Sequence, residues 1–481
     1  MKKLIVIVFI IFGAFLTLCL YKTFAYDTSV VEEVPSTTDL EYTFKIGNSS
    51  IKQRTVDSGE TRYYDIVLGN PNNAKISYSV YYEMVSPSTK PDGYKIEYTS
   101  KSTGNSTGIV NNNGNITLNI VVTNTSSSSV TVKVGTVAGY VKGGELTLNS
   151  GQEVIPKRLT AAEYVMTLND NTSGDEGSGV YKIEHSAIPA SNSATGSEIP
   201  AVTDYRYYGP NPNNYICLDM EGGSTCPDKH LYRIIGSIYE EKENTNRIKL
   251  IKATPLTDGT TSAFSWDYTS SGSYSNIWAT ITSGNYSNSL TSGSTLMQLL
   301  NSGAWWNGTS GSYYNQSNTA TTVNFTNYKL SDKAKSYITT SRYYLGGFNN
   351  TPPLTNEMYG YERGILRYDT NRPLYWEGMV GLMYPSDYGY AAGNSCVNGT
   401  KLYDYNGYGN KDWLYISDIY QSLMSPYSGH FCSLFSVGYA GRVVIDNDVF
   451  EDLAVSPVFY LTSTTSIIDG DGSLNNPYIL K

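Results

Sequence analysis

The chain has 481 residues, a formal net charge of −9, only 16% charged residues, and 44 each of Tyr and Gly. The acidic balance argues against nucleic acid and against anionic lipid surfaces as partners. The aromatic content is too high for disorder to dominate, and the length allows two to three domains, built mainly of half-buried strands and long polar loops.

Residues 4–21 form an uncharged apolar run of eighteen residues behind Lys2 and Lys3. As a helix rising about 1.5 Å per residue it reaches roughly 27 Å, close to the thickness of a bilayer's hydrocarbon core. The two lysines hold the N-terminus in the cytoplasm. Residues 1–25 are therefore expected to be a retained signal anchor or, with Ala25 as the small residue, a cleaved signal peptide. The rest of the chain is exported, either secreted or held on the outer face of the cell membrane through 4–21. Cys19 follows Leu18, where lipidation would want a small residue, and reads as a buried hydrophobe.

Residues 38–156 carry a period of two. Ile76, Tyr78, Val80, Tyr82 and Met84 alternate with Lys75, Ser77, Ser79, Tyr81 and Glu83, and Ile116, Leu118, Ile120 and Val122 repeat the pattern. Such alternation predicts strands with one buried and one wet face. With turn residues between the runs, it predicts an all-β antiparallel sandwich of seven or eight short strands.

The apolar run followed by strands such as Ser58-Gly-Glu-Thr-Arg-Tyr-Tyr-Asp-Ile-Val-Leu-Gly-Asn70 resembles camelysin and biofilm-fibre proteins. The segment 115–140, ending Val137-Ala-Gly-Tyr-Val141, fits the same pattern. The resemblance implies a jelly-roll or immunoglobulin-like sandwich with a structural or assembly role, and no catalytic residue.

Residues 157–200 combine a helix-like stretch at 159–168 with polar, Gly/Ser-rich runs, and read as a flexible linker with a short helix. Residues 201–481 follow as an α+β domain with long loops. A hairpin is predicted from 231–238 and 247–253, short helices near 296–300 and 332–338, and late strands at 442–445 and 455–461. Pro457 marks an edge or a bulge.

Four motifs carry a second resemblance: Tyr232-Arg-Ile-Ile-Gly236, Val380-Gly-Leu-Met-Tyr-Pro-Ser-Asp-Tyr-Gly-Tyr-Ala391, Lys411-Asp-Trp-Leu414 and Ser456-Pro-Val-Phe-Tyr-Leu461. With Gly470-Asp-Gly-Ser-Leu-Asn-Asn-Pro-Tyr-Ile-Leu480 they are similar to uncharacterised surface modules of Gram-positive gut bacteria. Tyr232 stands where that family would have Trp, and Ser456 where it would have Arg. The family is distantly similar to C-type-lectin-like and formylglycine-generating-enzyme-like domains, and it implies no reaction.

Four cysteines lie beyond the apolar run: Cys217, Cys226, Cys396 and Cys432. In an exported chain they allow three disulfide connectivities, of which Cys217–Cys226 with Cys396–Cys432 is favoured. His185, His230 and His430 stand in no metal-ligand spacing, and no metal or other cofactor is expected. Asp469-Gly-Asp-Gly-Ser473 begins like a calcium loop but has Leu474 in place of the required Gly and no closing Glu, so a turn is the better reading. No GxSxG motif is present, and Cys432 has no companion at the spacing of formylglycine chemistry. Glu357, Glu362, Asp369, Glu377 and Asp387 are raw material for a glycosidase pair.

The aromatic residues have two readings. They are core anchors, or they are rings with polar handles displayed at a wet surface for recognition. Under the second, Trp376, Tyr384, Asp387, Tyr388 and Tyr390 are the candidate ligand-binding set. The expected function is an exported, adhesin-like protein that presents a module for a glycan or protein ligand on a β-sandwich stalk. The alternatives are a subunit of an extracellular fibre or matrix, and a glycan-directed hydrolase.

Overall fold

The computed structural model describes residues 40–481 apart from 100, 141–145, 170–173, 175–176, 280–289, 346, 366–372 and 407–410. The expected anchor or signal at 1–25 and the carboxylate of Asp369 lie outside the described residues. Among the described residues no helix is long and apolar enough to cross a membrane. The chain divides into two compact units, Met1–Arg158 and Leu159–Lys481, both rich in antiparallel β-structure.

Among its described residues the first unit contains nine strands: β1 (Thr43–Ile46), β2 (Gln53–Val56), β3 (Glu60–Gly69), β4 (Ile76–Ser86), β5 (Tyr94–Tyr98), β6 (Thr107–Val110), β7 (Asn115–Asn124), β8 (Val130–Tyr140) and β9 (Gln152–Val154). They form one sheet in the order β1-β3-β7-β5 and a second in the order β2-β8-β4-β6, with β9 also on β4. The predicted alternation fills a single core with Ile76, Tyr78, Val80 and Tyr82 of β4 and Leu118, Ile120 and Val122 of β7, which Val130, Val132 and Val134 of β8 join. Two expectations fail: Ser79 and Tyr81, both placed on the wet face, are buried. The neighbour of Tyr81 across the ladder is Gly135, whose missing side chain leaves room for the ring.

The second unit begins earlier than expected, and this corrects the linker at 157–200. The helix Ala161–Thr167 is closed by a capping box. Glu163 N donates to Thr160 Oγ1 at 3.2 Å, and Thr160 N donates to Glu163 Oε2 at 2.9 Å. Its Ala161, Ala162 and Val165 join the unit's core. Strand β10 (Gly179–His185) then pairs along its whole length with β11 (Val202–Tyr208). Strand formers such as Val180, Tyr181 and Ile183 outweigh the polar composition around them.

The main sheet of this unit has nine strands. Its centre is the predicted hairpin, β13 (Leu231–Glu240) and β14 (Thr245–Lys252), with β12 (Tyr215–Cys217) and β11 both pairing with β13. The register shifts between Ile234 and Gly236. A Cβ at Gly236 would sit 2.3 Å from Tyr205 O, so only glycine lets β11 approach here. Val458–Leu461 lies between β14 and Ile338–Thr339, so Pro457 precedes an interior strand instead of marking an edge. The expected short helices are Thr295–Asn301 and Asp332–Ser336. Strands are more numerous than expected, and among the described residues no helix exceeds seven residues.

Cys217 and Cys226 form the expected disulfide. The expected Cys396–Cys432 bridge is corrected: Cys432 is a free, buried thiol, held by His430 and Asp448.

Candidate functional site

Alternation along strands of the second unit brings charged side chains to one interior point. Asp204 and Arg206 share a face of β11, and Arg247 and Lys249 share a face of β14. The helix Pro385–Ala391 delivers Asp387, which accepts from Tyr384 N at 2.9 Å at the helix start. Arg206 Nη1 donates to Asp387 Oδ1 at 2.8 Å, and Arg206 Nη2 to Asp204 Oδ2 at 3.0 Å. Lys249 Nζ donates to Asp387 Oδ2 at 2.5 Å. Tyr359 OH donates to Asp204 Oδ2 at 2.9 Å, and His185 Nε2 lies 3.2 Å from the same oxygen. All of these charged groups are buried.

Burial and pairing divide the two carboxyl groups beside Lys249. Burial opposes charge on Asp387, but Lys249 and Arg206 hold it below the ordinary carboxylate range. For Glu362 burial dominates and pushes the pKa up to about 8, with the Asp387 charge adding to the rise. Glu362 accepts from Ser386 N at 3.1 Å and from the Ser386 hydroxyl. One carboxylate and one neutral acid side by side is an acid–base arrangement. The cavity over them is about 60 Å³, walled by Arg206, Lys249, Arg342, Tyr344 and Glu362. That holds a few water molecules, whereas organic ligands occupy about 300–1,000 Å³.

The five predicted binding residues are all buried, which corrects their assignment as a displayed set. Tyr384, Asp387 and Tyr390 meet around the charged network. Lys249 Nζ stands 4.6 Å from the Tyr384 ring centroid, and the Arg206 guanidinium 4.7 Å from that of Tyr390. Trp376 and Tyr388 belong to the core away from it. Trp376 packs against Tyr343 and Trp278, with centroids 5.6 and 6.1 Å apart. The Tyr388 hydroxyl donates to Gly441 O at 2.6 Å.

A larger opening lies in a Ser/Thr/Gly/Asn-rich stretch, residues 256–328. It is an open cleft of about 590 Å³, formed by the loop 268–270, the helices Thr295–Asn301 and Ala304–Asn307, and the strand Ser310–Tyr314. Tyr268, Gln298, Asn307, Ser312 and Tyr314 are among its lining residues, and none of the described lining residues is charged. Ser294 caps the first helix by accepting from Met297 N at 3.2 Å. Gly308, at φ +64°, ends the second in the left-handed conformation.

Hydrogen bonds tie together the elements that form the cleft. Asp267, buried beside it, accepts from Thr295 N at 3.0 Å and from Ser275 N at 2.9 Å, tying the loop to the helix start. Burial pushes its carboxyl up to about 6, against the pull of these backbone donors. Gln298 Nε2 donates to Gly293 O at 2.9 Å and Asn307 Nδ2 to Ser302 O at 2.6 Å, which orients both amides. Each amide also carries an oxygen able to accept from a ligand hydroxyl.

The turn at 469–473 matches its sequence reading: Asp469 accepts from Gly470 N at 2.8 Å and Asp471 from Ser473 N at 2.9 Å, leading into Tyr478–Leu480. Compared with known proteins, the chain matches no family model and no curated protein.

Proposed function

We propose that this is an exported cell-surface protein of the adhesin type, in which the second unit recognises a neutral glycan and the sandwich serves as its stalk. The uncharged cleft carries the reading. Its volume falls within the range of ligand sites. Tyrosine rings, fixed amides and hydroxyls without any charged lining suit a ligand rich in hydroxyls and free of charge. The kinship with surface modules of Gram-positive gut bacteria, and the distant C-type-lectin-like likeness, belong to the same proposal, as does the anchor or signal at 4–21.

The hydrolase alternative has the pair Glu362 and Asp387, but draws less support from a cavity of about 60 Å³. The fibre alternative concerns the sandwich and is tested by its concentration-dependent polymerisation. For the leading reading, the purified protein is screened against neutral and acidic oligosaccharides at low and high salt. Saturable binding to neutral sugars that survives high salt supports it, since uncharged contacts are not screened. Binding restricted to acidic sugars and abolished by salt overturns it.

A further inference from the structure

We infer that His430, Cys432 and Asp448 form a binding site for a divalent transition-metal ion, zinc in the first place. Cys432 Sγ lies 3.0 Å from His430 Nδ1 and 3.1 Å from Asp448 Oδ1. One donor atom from each of the three residues falls within 4.8 Å of the other two. With zinc–sulfur and zinc–nitrogen bonds of about 2.3 and 2.05 Å, a tetrahedral ion separates its sulfur and nitrogen ligands by about 3.5 Å. The sulfur needs to draw back by only about half an ångström from His430 Nδ1, and by a similar amount from Asp448 Oδ1, to admit the ion.

The scaffold holds them in that arrangement. Ser433–Val437 pairs antiparallel with Val443–Asp448, and the register sets Ser433 opposite Asp448, with Cys432 one residue away. Val449 N donates to Cys432 O at 2.7 Å. The buried Asn276 amide donates to three carbonyls of the preceding loop, those of Tyr427, His430 and Ser433, at 2.9, 2.8 and 2.6 Å. Ser433 Oγ, 3.4 Å from Asp448 Oδ1 and 3.5 Å from His430 Nδ1, supplies a further oxygen at the rim.

The donor set selects the ion. A thiolate excludes calcium and magnesium, which take oxygen ligands, while sulfur with imidazole and carboxylate suits zinc and its late first-row neighbours. A cysteine nucleophile is the poorer explanation. Asp448 stands against the sulfur instead of orienting the imidazole, and a carboxylate there opposes thiolate formation unless a cation lies between them. On binding, Cys432 releases its proton to solvent and the ion replaces it. His430 is exposed and Cys432 buried, so the ion enters from the solvent side and keeps one position open there.

The test is a cobalt titration of the full-length protein, purified without reductant so that Cys217–Cys226 stays closed, and stripped with chelator. The expected result is saturation at one equivalent, with a thiolate-to-cobalt charge-transfer band that zinc displaces. The band should be lost in Cys432→Ser and kept in Cys396→Ser. His430→Ala, at an exposed position, should fold normally and bind zinc at least about tenfold more weakly. Absence of the charge-transfer band in the unsubstituted protein, its persistence in Cys432→Ser, or unchanged zinc affinity in His430→Ala would overturn the assignment.

Discussion

Asp387 carries two buried cations at once, and the residue scale shows why that position is sensitive. Removing it leaves Arg206 and Lys249 without their shared partner in a low-dielectric interior. Asp387→Ala should therefore cost about 3–5 kcal/mol, read from the urea midpoint at constant slope. A loss below about 1 kcal/mol would mean that the network is solvated. Glu362 makes the opposite demand. Its folded pKa, about 8, lies above the ordinary 4.5, so the folded state holds a proton that the unfolded state has lost. Stability from this group is complete below pH 4.5 and declines as pH rises towards 8, by at most about 1.4 kcal/mol per pH unit. Glu362→Gln should flatten that decline in denaturation curves recorded at pH 5 and pH 8, and equal slopes for both proteins would refute it. None of this was legible from the motif around Asp387. Tyr, Pro, Ser and Gly around an Asp look like a wet loop, and its partners Lys249 and Arg206 lie 138 and 181 residues away in the chain.

Elements were more legible than sites, because their signals are local. Alternation places β4 and β7, turn residues bound them, and the helix-like stretch at 159–168 contains the helix Ala161–Thr167. The strand β10 was lost because polar and glycine-rich neighbours suggested a connector, while its pairing partner β11 begins seventeen residues after it ends. Gly236 tests the sheet at its tightest point. Gly236→Ala places a methyl group against Tyr205 O and should part β11 from β13. Hydrogen exchange should then show lost protection along both strands, and unchanged protection would mean that the bulge absorbs the methyl group. Tyr81 shows the limit of a periodic rule, since a glycine across the ladder converts a nominally wet position into a buried one.

At the scale of the whole molecule, length and composition anticipate two to three domains rich in strands, and the sandwich read as ending at 156 meets the observed boundary between Arg158 and Leu159, whereas the second unit begins there and not at 201. The cleft was hidden by the opposite problem. Its lining comes from three short segments within 268–314, a stretch whose uniform Ser, Thr, Gly and Asn content masks the turn from helix to strand. Charged groups line the small interior cavity, whereas the described lining of the open cleft has none, and this division accords with the proposed recognition of a neutral ligand. The most direct measurement is calorimetric titration of a neutral oligosaccharide, identified by screening, into the unsubstituted protein, Tyr314→Ala and Asp387→Asn. If the cleft is the recognition site, Tyr314→Ala weakens binding at least about tenfold, as expected for loss of a ring worth about 1–2 kcal/mol, with folding unchanged. Asp387→Asn should lower stability and leave affinity in the folded protein intact. Full affinity in Tyr314→Ala together with loss in Asp387→Asn would contradict the account and move recognition to the charged pocket.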